Sequence, residues 1–175
     1  RQHGVPYTLD QILVSNGAKQ ALAMTLQTLV ETGDEVIVLQ PAWVSYMEQI
    51  KLAGGVPVSV ETTDQFQPDM AAIQAAITDR TVGLILNYPN NPTGAVYTEQ
   101  LLRQIASLAE QHDWWVISDE IYEHIVYDGA PFQSFARLYP KTIVVNGLSK
   151  AAAVTGWRVG YAAGPVEMIR AMTAL

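Results

Sequence analysis

The chain has 175 residues, 49% of them hydrophobic and 15% charged, and a net charge of −7 at pH 7. This length buries one core and makes a single domain over residues 1–175 the expectation. The acidic balance argues against nucleic-acid and anionic-membrane binding. No apolar run approaches the roughly 18 residues of a bilayer span, and the absence of cysteine removes disulfides, thiolate metal sites and thiol catalysis while fitting a reducing, cytoplasmic setting.

Short β-rich runs alternate with amphipathic stretches along the chain. The first run, Ile12-Leu13-Val14-Ser15, leads into a helix over 18–31 with Leu22, Leu26 and Leu29 on one side and a stop at Thr32-Gly33-Asp34. The run 35–39 precedes a helical stretch over 43–53, and the run 56–60 precedes another over 69–77. The run 82–86 is followed by a helix over 98–112, with Thr98 as its N-cap, Glu99 in its first turn and Leu101, Leu102, Ile105 and Leu108 on one side. Then come the run 114–118, a longer connection over 121–140, and the runs 142–145 and 158–163.

Most of these runs are continuously apolar, as strands covered on both faces should be. The rhythm predicts an α/β fold: three layers, α/β/α, around a mainly parallel seven-stranded sheet with right-handed crossovers. No crossover helix separates the last two runs, so the last strand is expected to run antiparallel. The sparse charge suggests apolar surface meant to be covered by something else. The opening at Arg1 and the abrupt stop at Leu175 suggest a segment of a longer polypeptide.

Ligands in parallel α/β sheets sit beyond the carboxyl ends of the strands. The residues just past the strands are Ser15-Asn16-Gly17-Ala18-Lys19, Pro41-Ala42-Trp43, Tyr88-Pro89-Asn90-Asn91-Pro92-Thr93-Gly94, Asp119-Glu120-Ile121-Tyr122 and Asn146-Gly147-Leu148-Ser149-Lys150. Polar and aromatic groups therefore gather at one edge of the sheet. Each has an ordinary explanation when taken singly. A loop lysine is usually solvated, a terminal aspartate is often a cap or turn residue, and a tryptophan or tyrosine is most often a packing aromatic. His3, His112 and His124 lack metal-ligand spacing, and no metal site is expected.

Asn90-Asn91-Pro92-Thr93-Gly94, Ser118-Asp119-Glu120-Ile121-Tyr122, and Ser149-Lys150 followed by Thr155-Gly156-Trp157-Arg158 resemble the three fingerprints of class I aminotransferases, in the family's order and spacing. The similarity runs from about residue 11 to the end and is greatest toward aspartate-type enzymes. It implies the large domain of a pyridoxal-phosphate (PLP) enzyme of fold type I, without the small domain and N-terminal arm. The implied reaction is transamination between an L-amino acid of the aspartate or glutamate type and a 2-oxo acid, in a cytoplasmic homodimer.

On this resemblance Lys150 carries the cofactor as a Schiff base and then moves the proton between substrate Cα and the cofactor's C4′. Asp119 keeps the ring nitrogen protonated, and Tyr122 and Asn91 meet the phenolic oxygen. Trp43 lies flat on the ring and, with Asn91, faces the substrate. Gly17, Ala18 and Lys19 at a helix start, together with Ser149 and Arg158, surround the phosphate. Lys19 opposes the helix dipole by about 0.3–1 kcal/mol, which suggests a further task, meeting the distal carboxylate of an acidic substrate. Many relatives place a hydroxyl three residues before the lysine, where this chain has Gly147, so one phosphate contact is expected to be missing. The resemblance also favours a cis Asn91–Pro92 bond. Two other readings share the key residues: another fold-type I reaction such as a C–S β-lyase, and a PLP-binding effector domain of a transcription regulator.

Overall fold

The computed structural model describes residues 4–127 and 129–175. His3 lies outside the described residues. Among the described residues seven strands form one sheet: β1 (Ile12–Asn16), β2 (Glu35–Gln40), β3 (Val56–Glu61), β4 (Thr81–Asn87), β5 (Trp115–Asp119), β6 (Thr142–Gly147) and β7 (Val159–Ala163). Their order across the sheet is β1-β7-β6-β5-β4-β2-β3. The neighbours from β3 to β6 pair in parallel, whereas β7 is antiparallel to both β6 and β1. The expected reversal of the last strand is present.

Among the described residues six α-helices flank the sheet: α1 (Ala18–Leu29), α2 (Ser45–Leu52), α3 (Met70–Ala75), α4 (Glu99–Gln111), α5 (Leu148–Ala151) and α6 (Val166–Thr173). Alternation along the central strands sorts side chains between two apolar layers. Val36 and Val38 of β2 pack with Leu22 and Leu26 of α1, Ile50 of α2, and Met168 and Met172 of α6. Their neighbours Ile37 and Leu39 pack on the opposite face with Ile73 of α3 and with Leu102 and Ile105 of α4. The three-layer α/β/α architecture follows from that sorting.

The helix ends obey local chemistry. Thr98 accepts a hydrogen bond from the Leu101 N–H at 3.3 Å, as an N-cap should. Asp69 caps α3 by accepting from the Ala71 and Ala72 N–H groups. Helix α6 is an element that the strand rhythm does not announce. It begins after Pro165 and buries Met168, Ile169 and Met172, an i, i+1, i+4 stripe.

β7 threads closely between its neighbours. Gly160 sits opposite Ser15 of β1 and Gly147 of β6. A Cβ built on Gly160 would overlap the Ala18 nitrogen and the Gly17 carbonyl carbon at the start of α1. Backbone cannot move aside as a flexible side-chain end can. Gly160→Ala is therefore expected to destabilise the fold by about 1–3 kcal/mol, the usual range for overpacking. A urea-unfolding midpoint unchanged from the parent chain would contradict that close approach.

Candidate active site

The carboxyl ends of β2, β4, β5 and β6 and the start of α1 meet at one rim, around a cleft of about 310 Å³. Its lining includes Ala18, Lys19, Trp43, Asn91, Asp119, Tyr122, Ser149, Lys150 and Arg158. Gly17 does not line the cleft; it lies just behind, at the N-cap of α1, with φ 77°. The volume falls within the range of small-ligand sites. Arg158 reaches this rim because β7 runs antiparallel, so its first residues lie beside the ends of the parallel strands.

Asp119 closes β5 and is 4% exposed. Tyr46 donates its hydroxyl hydrogen to Asp119 Oδ2 at 2.7 Å, and the Ile121 N–H donates to Oδ1 at 3.2 Å. Among the described residues it makes no ion pair. Burial pushes its carboxyl up to about 6, and the hydrogen bonds from Tyr46 and Ile121 offset part of that rise. At neutral pH the group is thus mainly an anion held away from water without a cation, an unfavourable state that a cationic ligand group would relieve.

Asn87, at the end of β4, ties the floor together. Its Nδ2 donates to the Asp119 carbonyl at 3.0 Å, and its Oδ1 accepts from the Asn91 N–H at 2.8 Å. The loop it holds contains two cis peptide bonds, Tyr88–Pro89 and the expected Asn91–Pro92, and Gln40–Pro41 just past β2 is also cis. Asn91 Nδ2 donates to the Tyr122 hydroxyl oxygen at 3.3 Å, which leaves the Tyr122 hydrogen free to donate onward.

Lys150 lies on the short helix α5, its Nζ 5.7 Å from the centre of the Tyr122 ring. Lys19 Nζ lies 4.9 Å from the centre of the Trp43 ring. Arg158 adopts the left-handed conformation, φ 53° and ψ 46°, and donates from Nη1 to the Thr155 carbonyl at 3.0 Å. A Cβ on Gly17 would overlap Arg158 Nη2, so glycine serves that turn twice, by its positive φ and by the room it leaves the guanidinium.

At Gly147 the reason for a missing hydroxyl is steric. A Cβ there would meet the Val159 carbonyl oxygen at 2.7 Å and Gly160 Cα at 2.9 Å. Gly147 is fully extended, so close packing against β7 sets the limit rather than its dihedrals.

Some residues of the site escape the sequence reading. Tyr46, Ile121 and Thr155 also line the cleft. Tyr46 follows Trp43 by three positions, a helical spacing that was available as a signal. Glu120 turns to the opposite side of the sheet from Asp119. Its Oε1 accepts from Ser118 Oγ at 2.8 Å, Ser134 Oγ at 2.9 Å and the Phe135 N–H at 3.1 Å. Burial pushes its carboxyl up to about 7 against those donors. It anchors the far end of the connection that carries Tyr122, a role the sequence does not advertise. His112 stacks on Trp114 with ring centres 5.0 Å apart, and no group of residues able to hold a metal occurs among the described residues.

The family described as aminotransferase class I and II matches residues 1–175. An aspartate/prephenate aminotransferase of Thermus thermophilus is 50% identical, aligned over 100% of this chain and 46% of its own length. An aspartate aminotransferase of Geobacillus stearothermophilus is 46% identical, over 100% of this chain and 46% of its own. Among solved structures, the aspartate aminotransferase of T. thermophilus with maleate superposes with a TM-score of 0.96 at 50% identity, over 99% of this chain and 46% of that one. An aromatic aminotransferase from Pyrococcus horikoshii gives 0.96 at 43% identity, over 99% and 48%. The chain thus spans about half the length of the relatives it matches. It belongs to the aminotransferase class I and II family.

Proposed function

We propose that residues 1–175 form the cofactor-binding domain of a PLP-dependent aminotransferase that moves an amino group between an L-amino acid of the aspartate or glutamate type and a 2-oxo acid. The observation that carries this reading is the convergence of an amine, a buried carboxylate and a guanidinium, Lys150, Asp119 and Arg158, on one cleft. The names of the relatives support the same activity.

The residues present fit the cofactor. Asp119 is a buried carboxylate that makes no ion pair among the described residues, suited to a protonated ring nitrogen. The glycine at the start of α1 leaves space beside Arg158, and the free N–H groups of a helix start favour a phosphate. The chemistry supplied by the bound cofactor is an aldehyde that takes up the substrate amine and a cationic ring that accepts the electrons released at Cα.

The chain's own groups divide the remaining work. Lys150 attaches the cofactor and, once released, moves the proton between substrate Cα and C4′. Asp119 holds the proton on the ring nitrogen. Tyr122 and Asn91, already joined by a hydrogen bond, address the phenolic oxygen. Trp43 covers the ring face and, with Asn91, borders the substrate. Arg158, Ser149 and the N–H groups at Ala18 and Lys19 hold the phosphate, while Gly17, whose own N–H donates to the Ser15 carbonyl at 2.8 Å, leaves room for the guanidinium. Lys19, held over Trp43, offers its ammonium to the distal carboxylate of an acidic substrate.

In this reading the domain is part of a longer polypeptide that works as a cytoplasmic homodimer, with the rest of the chain and the partner covering its apolar surface. Leu9 at 92% exposure, Val14 at 72% and Trp157 at 74% support such a cover.

Titration of the protein with PLP is expected to give an absorbance band distinct from that of free PLP, retained after desalting, and absent in Lys150→Ala. Identical spectra for the two proteins would reject the role of Lys150. In the full-length polypeptide, Lys19→Ala is expected to lower kcat/KM for aspartate or glutamate roughly ten-fold more than for an apolar amino acid, the usual effect of losing one charge-assisted contact. Equal losses on both substrates would remove Lys19 from substrate recognition.

A further inference from the structure

Tyr46 is 2% exposed and makes the shorter of the two hydrogen bonds to the Asp119 carboxylate, 2.7 Å against 3.2 Å from the Ile121 N–H. It stands on α2, one turn beyond Trp43, whose ring meets it edge-on with centres 5.5 Å apart and planes at 86°. The tyrosine is therefore fixed from one side by an aromatic wall of the cleft and from the other by the carboxylate. Burial and the Asp119 charge push the Tyr46 hydroxyl well above its ordinary pKa of 10, so it keeps its proton and acts as a donor. The other ionisable groups facing this pair are Tyr122, Lys150, Lys19 and Arg158 along the cleft, with Tyr97 acting on Tyr46 through space.

We propose that Tyr46 is a positioning residue that keeps the Asp119 carboxylate ionised and in one orientation, aimed at a cationic ring nitrogen. This rests on the reading of the cleft as a PLP site. A carboxylate in an apolar setting loses its charge unless donors hold it. The Ile121 N–H reaches only Oδ1, and Asn87 reaches only the Asp119 main-chain carbonyl. Tyr46 is the side chain that holds Oδ2. Without it the carboxyl would protonate more readily and rotate more freely, and either change weakens its grip on a positive ring nitrogen. A ligand without that nitrogen would lose nothing.

The test compares binding of PLP with that of its 1-deaza analogue, in which a C–H replaces the ring nitrogen, by equilibrium dialysis. The parent chain is expected to prefer PLP. Tyr46→Phe, which preserves the ring and the packing, is expected to weaken PLP binding roughly ten-fold, as for loss of a hydrogen bond to a charged group. Its affinity for the deaza analogue should stay within about two-fold, the scatter of independent sites. In an Asp119→Asn background, Tyr46→Phe should cause no further loss with either compound.

A thermal melt of each variant gives the folded fraction, and the ratio of the two affinities, taken on the same variant, does not depend on that fraction. Equal weakening of both compounds by Tyr46→Phe would assign the tyrosine to packing and overturn the proposal. So would further loss in the Asp119→Asn background. A parent chain that binds both compounds equally would remove Asp119 from ring-nitrogen recognition and the inference with it, whereas a parent chain that binds neither would overturn the proposed function itself.

Discussion

A carboxylate buried at the end of a hydrophobic strand, with no ion-pair partner among the described residues, is the constraint around which this rim is organised. Asp119 is reached by Tyr46 from α2, by the main chain of Ile121, and through its carbonyl by Asn87 from β4. Two separate elements, α2 and β4, are thereby locked to the end of β5. The same Asn87 side chain fixes the Asn91 loop, and Asn91 in turn meets Tyr122. Holding a charge in such a place is unfavourable in the free protein, with its carboxyl raised to about 6. Structures keep unfavourable groups of this kind where a ligand compensates them.

The antiparallel strand supplies the other half of the arrangement. A parallel β7 would have put Arg158 at the wrong end of the sheet. Reversed, it brings the guanidinium beside the start of α1, where Gly17 leaves room for it. The close fit of β7 has consequences on both sides: Gly160 lets α1 approach, and Gly147 leaves no room for a side chain. The absence of a hydroxyl three residues before Lys150 is thus a packing consequence in this chain. The end of the cleft that carries Arg158 and the end where β7 packs are one problem in sterics.

Much of this was legible in the sequence because the deciding signals are local. Continuous apolar runs bounded by polar residues gave the strands, and the absence of a crossover before 158–163 gave the reversal of β7. Caps such as Thr98 marked helix starts. What stayed hidden depends on contacts between distant segments. Helix α6 presents its stripe of Met168, Ile169 and Met172 over only eight residues, too short for its period to stand out. Tyr46 looks like any core tyrosine until α2 is folded against β5, 73 positions away in sequence. Glu120 is an ordinary acidic residue in a motif until Ser134 and Phe135 return from the far end of the 121–140 connection.

A crystal structure of the protein grown with PLP tests the central geometric claim most directly. The account predicts electron density for the cofactor in the cleft between α1 and the ends of β2, β4, β5 and β6, continuous with Lys150 Nζ, with the ring nitrogen against Asp119 and the phosphate between the start of α1 and Arg158. Density elsewhere on the molecule, or in the cleft with the phosphate lying against Asp119, would contradict it.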